Sequence, residues 1–474
     1  MRRVTVPIRF AVALVVVTMM AATPAVGAAQ HTHTVIPDDA PSADGKADGM
    51  PSMSQSPHEM WMQPLGDGWT LTGMAQAIPT LSGGDPLAET LDARSWQPYL
   101  TQPAAMFDVA SRGARVVLRT TLNFEALTQR DGELTYGAWG EGFLDSRHPH
   151  TLLHEVMLSF NAWDTRAGSF SLSAGKGFAP YGTDDPMARP AEKYPTNHHL
   201  SQILERWTLN AQYLTRGGMS LEAGLFAGAE PSGPYDLGGI SGFGNSWSAR
   251  VTQRFGAGFG PSAPWELSLS YASVAEEHQG VQGNTKLANV ALRHSGPHRF
   301  GSLYALAEAS RSWPDEGDGY YSVLGETRLG LGSNARHRPY YRVEYATRPE
   351  YEREGVPGTD GFFRYDHDAH AIGSTRWLIN TVGYGYELSR SPVSARPYLE
   401  LQHNRIWPDR GAVGPRALFG ATGFWSMSLG VRLFFGGGPM RMGSYGLLDP
   451  MAATARPGAV MEHGDSSHGS HQSH

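Results

Sequence analysis

Along most of this chain apolar residues recur at every second position, in stretches of about ten that break off at turn residues. Successive side chains of a strand point to opposite faces, so each stretch offers one greasy face and one polar face. The clearest is 424–435, FWSMSLGVRLFF. Trp425, Met427, Leu429, Val431, Leu433 and Phe435 share one face, and Phe424, Ser426, Ser428, Gly430, Arg432 and Phe434 the other. In 245–255, Trp247, Ala249, Val251 and Phe255 oppose Ser246, Ser248, Arg250, Thr252 and Arg254. Segment 205–214 sets Trp207, Leu209, Ala211 and Tyr213 against Arg206, Thr208, Asn210 and Gln212, and 338–348 sets Tyr341, Val343 and Tyr345 against Arg342, Glu344 and Arg348. Sixteen such strands are predicted, near 67–78, 114–126, 133–143, 155–163, 169–176, 205–214, 219–228, 245–255, 265–275, 285–294, 300–310, 320–330, 338–348, 375–388, 396–406 and 422–435. The pattern admits 14–18 strands. Its phase slips between Ile379 and Val382, which reads as a β-bulge.

The predicted connections alternate in length: 79–113 is followed by the short 127–132, 144–154 by 164–168, 177–204 by 215–218, and 349–374 by 389–395. Transmembrane barrels with both termini in the periplasm combine short periplasmic turns with long external loops, and need an even strand count. Mean hydropathy is −0.34, and no long apolar run follows the N-terminus. Helical spans are thereby excluded, and a closed sheet is the remaining way to satisfy every backbone group in lipid. A soluble sandwich or propeller would also alternate, but with its polar face outside. The aromatic brackets of the stripes, such as Trp425 and Phe435, suit lipid interfaces instead. The predicted fold is all-β, an antiparallel transmembrane β-barrel of about 16 strands with disordered N- and C-terminal tails.

The N-terminus carries Arg2, Arg3 and Arg9, an apolar run from Phe10 to Ala22 and small residues to Ala29. That is the layout of a secretory signal peptide, too short for a spanning helix. The expected division is 1–29 signal peptide, 30–64 flexible periplasmic arm, 65–436 outer-membrane barrel and 437–474 flexible tail. Fifty-seven Gly, 12 Trp and 19 Tyr suit strands joined by tight turns. The absence of cysteine leaves an exported chain without disulfides. Loss of the three leader arginines takes the formal net charge from −7 to −10, which argues against a nucleic-acid partner. The expected partners are outer-membrane lipid and small hydrophilic solutes or ions.

A sixteen-stranded barrel is wide enough for an aqueous channel. The polar face then lines it with Arg115, Arg119, Glu133, Glu141, Arg206, Glu222, Arg250, Arg254, Glu266, Arg293, Glu326, Arg328, Arg342, Glu344 and Arg432. Wall charges of this kind tune ion selectivity, whereas an arginine on the lipid face would cost ~2–4 kcal/mol.

In this architecture residues 65–436 resemble the sixteen-stranded general porins of Gram-negative bacteria. That resemblance implies a homotrimer, although no subunit interface is legible here. It also implies that the loop after the fifth strand, here 177–204, folds inward and narrows the barrel. Asp184, Asp185 and Glu192 would then face lumen arginines across a constriction; an external loop without a pore role is the alternative. Gly177-Phe-Ala-Pro-Tyr-Gly182 is similar to a strand-to-loop segment of phosphate-selective porins. The 424–435 segment resembles the closing strand of outer-membrane barrels, whose last aromatic helps signal insertion, but 39 residues follow Phe435 here.

The tails add imidazole and thioether groups, which suit copper or zinc: His31, His33, His58, Met60 and Met62 in the arm, and His463, His468, His471 and His474 at the C-terminus. A Met/His-rich arm ahead of a barrel resembles the copper-resistance B family in composition, without that family's tandem motif. This supports a second reading, a metal-handling barrel whose tails capture copper or zinc; a merely solvated tail is the plainer one. No other cofactor is expected. His148, His150, His154 and Glu155 suggest a metal, but His154-Glu155-Val-Met-Leu158 lacks the second histidine of a zinc helix. Asp184-Asp185 and Asp366-His367-Asp368 with His370 are the groups an outer-membrane hydrolase would need. No nucleophile accompanies them, so no enzyme is expected.

Overall fold

A computed structural model of the chain describes residues 61–449 apart from internal stretches, of which the longest are 85–95, 129–149, 192–199, 257–263 and 356–362. Among the described residues no helix is long and apolar enough to cross a membrane. The architecture is one closed antiparallel barrel of sixteen strands: β1 Trp69–Gly84, β2 Trp96–Ala110, β3 Val116–Asn123, β4 Leu153–Ala162, β5 Ser169–Gly177, β6 Arg206–Leu214, β7 Met219–Phe226, β8 Ser246–Phe255, β9 Trp265–His278, β10 Val281–His298, β11 Gly301–Pro314, β12 Tyr321–Leu331, β13 His337–Tyr351, β14 Ala371–Tyr386, β15 Val393–Gly411 and β16 Gly423–Phe435. Each strand pairs with the next, and β16 pairs back on β1 with Phe435 opposite Ala75. Closure leaves no strand edge open, so the backbone donors and acceptors of the sheet are satisfied by each other. A short strand, Trp61–Gly66, forms a hairpin with the start of β1 and runs in line with the end of β16, the Trp61 and Phe435 rings 6.3 Å apart.

Connections at one end of the barrel, 111–115, 163–168, 215–218, 256–264, 299–300, 332–336 and 387–392, are all short, and both ends of the barrel segment lie there. At the opposite end 124–152, 178–205, 227–245 and 352–370 are long. The outer face carries the greasy stripe. Leu118, Leu158, Leu221, Leu225, Val251, Leu269, Val382, Leu401, Leu429 and Leu433 are exposed on it. Exposed aromatics fall in two belts: Trp96, Trp247, Trp313 and Trp425 toward the long-loop end, and Trp69, Phe255 and Phe300 toward the short-turn end. Polar side chains of the same strands, such as Ser246, Ser248, Thr252, Ser426 and Ser428, are buried inside. This is an inside-out partition, with apolar groups outward and polar groups inward, of the kind hydrocarbon surroundings favour.

Three expectations are corrected. Residues 79–113 are not one loop: they hold most of β1's outer half and all of β2. An extra residue at Gln102, with φ +48°, bulges the strand, so Gln76 and Ile78 face Ala104 and Thr101. The bulge reverses the phase between Leu100 and Ala105, and Pro98 and Pro103 interrupt the strand-like composition. Periodicity therefore missed it. The strand expected at 133–143 lies outside the described residues, but β3 pairs directly with β4 and leaves no place between them. The two errors cancel, so the count of sixteen holds. Nor is there a bulge between Ile379 and Val382: β14 runs in unbroken register there with both neighbours. Trp377 and Ile379 simply point inward, where Trp377 meets Phe424 edge-on and stacks under the Arg348 guanidinium.

Candidate functional site: a doubly narrowed lumen

The wall of the lumen is built from ion pairs on neighbouring strands. Arg250 on β8 makes two hydrogen bonds of 2.7 Å to Glu222, its cross-strand partner on β7. Arg254 on β8 and Arg293 on β10 converge on Glu266 of β9, at 3.0 and 2.6 Å. Arg206 reaches Glu230, beyond β7, at 2.6 Å. Arg342 sets Nε 2.9 Å from Glu344 and has Glu326 at 3.9 Å. Arg328 lies over the Tyr304 ring, within electrostatic reach of Arg338, Arg396 and Arg432. Arg338 and Arg396 share Glu387 at 3.2 and 2.9 Å. The wall formed by β12, β13, β15 and β16 is thus arginine-rich toward the short-turn end, while that of β7 to β10 is paired and nearly neutral. Arg115 is not on the wall: it is exposed in the turn between β2 and β3, because the short helical turn Arg112–Ala114 lifts it out of the ladder.

The long connection between β5 and β6 folds inward. Its two arms pair, Ala179 N donating to Ile203 O at 2.9 Å, and Tyr181 donates to Leu200 O. Ala179, Tyr181, Leu200 and Ile203 pack on Phe226, Ala272, Val274 and Leu287 of the inner wall. From there the loop crosses the lumen. Gly182 N donates to Ser270 Oγ of β9 at 2.8 Å, and Thr183 Oγ1 to Glu308 of β11 at 2.7 Å. Arg189 bonds both Thr183 and Glu308, and its carbonyl accepts from Arg432 of β16 at 3.0 Å. Burial opposes the Arg189 charge, but Glu308 and Glu326 outweigh it and hold its pKa above the ordinary guanidinium value. Asp184, Asp185 and Glu192, the acids expected at the constriction, lie outside the described residues; Glu308 on the facing wall supplies a carboxylate the sequence reading did not single out.

A second obstruction comes from the chain after β16. Residues 442–449 turn back into the barrel and pack against its inner wall. Met442 and Tyr445 join Met74, Met106, Met157, Phe178 and Leu204 in one buried cluster. Tyr445 donates to Glu155 at 2.5 Å and accepts from Phe178 N at 2.9 Å. Burial, together with the nearby Glu155 charge, pushes its phenol pKa well up. Leu447 N donates to Ser171 Oγ at 3.3 Å. Arg119, buried on β3, grips Asp108 with two bonds and Asp449 with one of 2.6 Å, and also donates to Ser444 O. This part of the expected C-terminal tail is therefore docked. Its signals in the sequence were Met442, Tyr445 and Leu447–Leu448 beside Gly443 and Gly446, which take positive φ. Between the loop tip, this segment and the wall of β7 to β11 lies a polar cavity of ≈ 30 Å³, bordered by Thr183, Arg250, Arg293 and Leu448 among others, room for about one or two waters. Among the tail groups considered for metal, Met62 is exposed in the strand Trp61–Gly66, and His31, His33, His58, Met60, His463, His468, His471 and His474 lie outside the described residues.

No family model matches the chain, and no curated protein does. Similar solved structures include a loop L8 deletion mutant of OmpT, an outer membrane protein of Vibrio cholerae, at 10% identity over 78% of this chain and 100% of that one, with TM-score 0.46. OmpF of Salmonella typhi, in complex with daunomycin, aligns at 9% identity over 79% and 100%, TM-score 0.46. An anion-selective porin from Comamonas acidovorans aligns at 12% over 77% and 99%, TM-score 0.42.

Proposed function

We propose that the chain is an outer-membrane channel for passive diffusion of small hydrophilic solutes or ions, narrowed by the β5–β6 loop and by residues 442–449. The observation that carries this is the inside-out partition of a closed sixteen-stranded barrel. A wall of this circumference leaves an aqueous lumen unless something fills it, and here two chain segments enter it, held by polar contacts and apolar packing. Short turns and both barrel ends at one side support a reading in which that side faces the periplasm. The arginine-rich wall of β12 to β16 biases passage toward anions. A homotrimer is what the resemblance to general porins implies, and crosslinking in native membranes tests it.

Planar-bilayer recording of the purified protein tests the reading. Small stepwise conductance is expected from the full chain, and a larger step from a chain ending at Gly437. If neither conducts while both migrate as folded barrels, the channel is refuted.

A further inference from the structure

His150, His154 and Glu205 belong to three different segments. His150 closes the long connection after β3, His154 is the second residue of β4, and Glu205 is the last residue of the inserted loop before β6. All three are buried, and one ligand atom from each lies within 4.8 Å of the others. His154 Nδ1 is 2.5 Å and His150 Nδ1 3.8 Å from Glu205 Oε1, and the two imidazoles stand at 81° to each other. Thr151 fixes the carboxylate by donating its N–H and hydroxyl to Oε1 at 2.8 and 2.9 Å. Glu205 itself holds φ +59°, a conformation that costs a non-glycine residue energy and tends to occur where geometry serves a site.

We propose that these three side chains bind one divalent cation of the zinc class, which clips the inserted loop to the barrel wall. Two imidazoles and a carboxylate without thiolate suit Zn²⁺, Ni²⁺ or Cu²⁺ and not Ca²⁺ or Mg²⁺, which take oxygen ligands. Zinc bonds nitrogen and oxygen at about 2.0–2.2 Å, which sets tetrahedral donors roughly 3.3–3.5 Å apart. Binding therefore draws His150 in by a few tenths of an ångström and opens the His154–Glu205 contact by somewhat more. Glu125 has its Oε2 3.8 Å from His150 Nε2, where a carboxylate orients the ring and leaves Nδ1 for the metal. The fourth position falls to water. Among the described residues the Lys176 ammonium faces the site, turned onto Thr151 Oγ1 and Leu153 O at 2.5 and 2.6 Å. It lowers affinity without blocking a ligand. His154 also lies edge-on to Phe178, so an ion here ties down both the first and the last residue of the loop. The site does not depend on whether the barrel conducts.

The test uses the full-length folded protein with His31, His33, His58, His463, His468, His471 and His474 changed to alanine, which removes tail capture. After chelator treatment, calorimetric titration with Zn²⁺ is expected to give one tight equivalent per chain. Co²⁺ is expected to give a tetrahedral absorption spectrum without any change at the site. Adding His150→Ala and His154→Ala should abolish the equivalent, Glu125→Gln should weaken it ~10–100-fold, and Lys176→Met should tighten it. An octahedral Co²⁺ spectrum, or Zn²⁺ binding no tighter than in the double-histidine variant, would overturn the proposal. Heat-modifiable migration in gels verifies the fold of each variant; if the histidine pair fails to fold, the Co²⁺ spectrum and the Lys176→Met affinity decide.

Discussion

At the scale of single residues, the lumen is shaped by tyrosines lying across glycines. Tyr340 of β13 covers its partner Gly383 of β14 and donates to Glu400, and Tyr398 of β15 covers Gly430 of β16 and shares a 2.7 Å hydrogen bond with Thr80. A side chain at either glycine would collide with the ring, so aromatic and glycine act as one unit. Gly182 matters differently: its φ is +63° and an added Cβ would run into Ser201 O, where the loop folds on itself. Gly182→Ala is therefore expected to displace the loop and raise single-channel conductance about twofold or more, with little change in the barrel's thermal transition. Arg119 is the hinge of the second obstruction, since its guanidinium bonds both the Asp108 and the Asp449 carboxylates. Arg119→Ala leaves two buried like charges facing each other, so residues 442–449 should undock and become accessible to protease. Asp449→Asn keeps the Arg119–Asp108 pair and should release the segment less, measured by the same digestion.

At the scale of elements, what decides a strand here is which face meets lipid. Val251→Arg on the outer face of β8 is expected to destabilise the barrel by ~2–4 kcal/mol, whereas Ser248→Arg, inward on the same strand, should cost less and instead change conductance. Urea titration in lipid vesicles measures both. The same logic explains what the sequence made legible. Strands such as β8 and β16 keep strict alternation because each outward position faces apolar surroundings, and their faces were readable residue by residue. β2 was not, because its bulge shifts the phase halfway along. Trp377 and Ile379 misled in the opposite way: a large apolar residue can face inward where wall side chains pack on it, as Phe424 and Arg348 do on Trp377, and periodicity registers only greasiness, not direction. The inserted loop was placed between the correct strands by its length. Its inner contacts were not legible, since Glu308 and Arg432 lie more than a hundred residues away in sequence.

At the scale of the whole molecule, the barrel and the short turns at one end followed from pattern, the count of sixteen held because two errors cancelled, and the docking of 442–449 was not foreseen. Nothing in local spacing announces that a segment beyond the final strand will return through the opening it has just left. The seam between β1 and β16 sets the order of events in making this protein. Ala75 waits for Phe435, some 360 residues later, so throughout synthesis and export the half-made sheet carries two raw borders able to pair with any neighbour. Removal of 423–435 should accordingly leave aggregated protein and no heat-modifiable species, whereas removal of 438–474 should still seal. Such a chain is hazardous to its cell until its last strand arrives, and it must be kept escorted and unpaired until then.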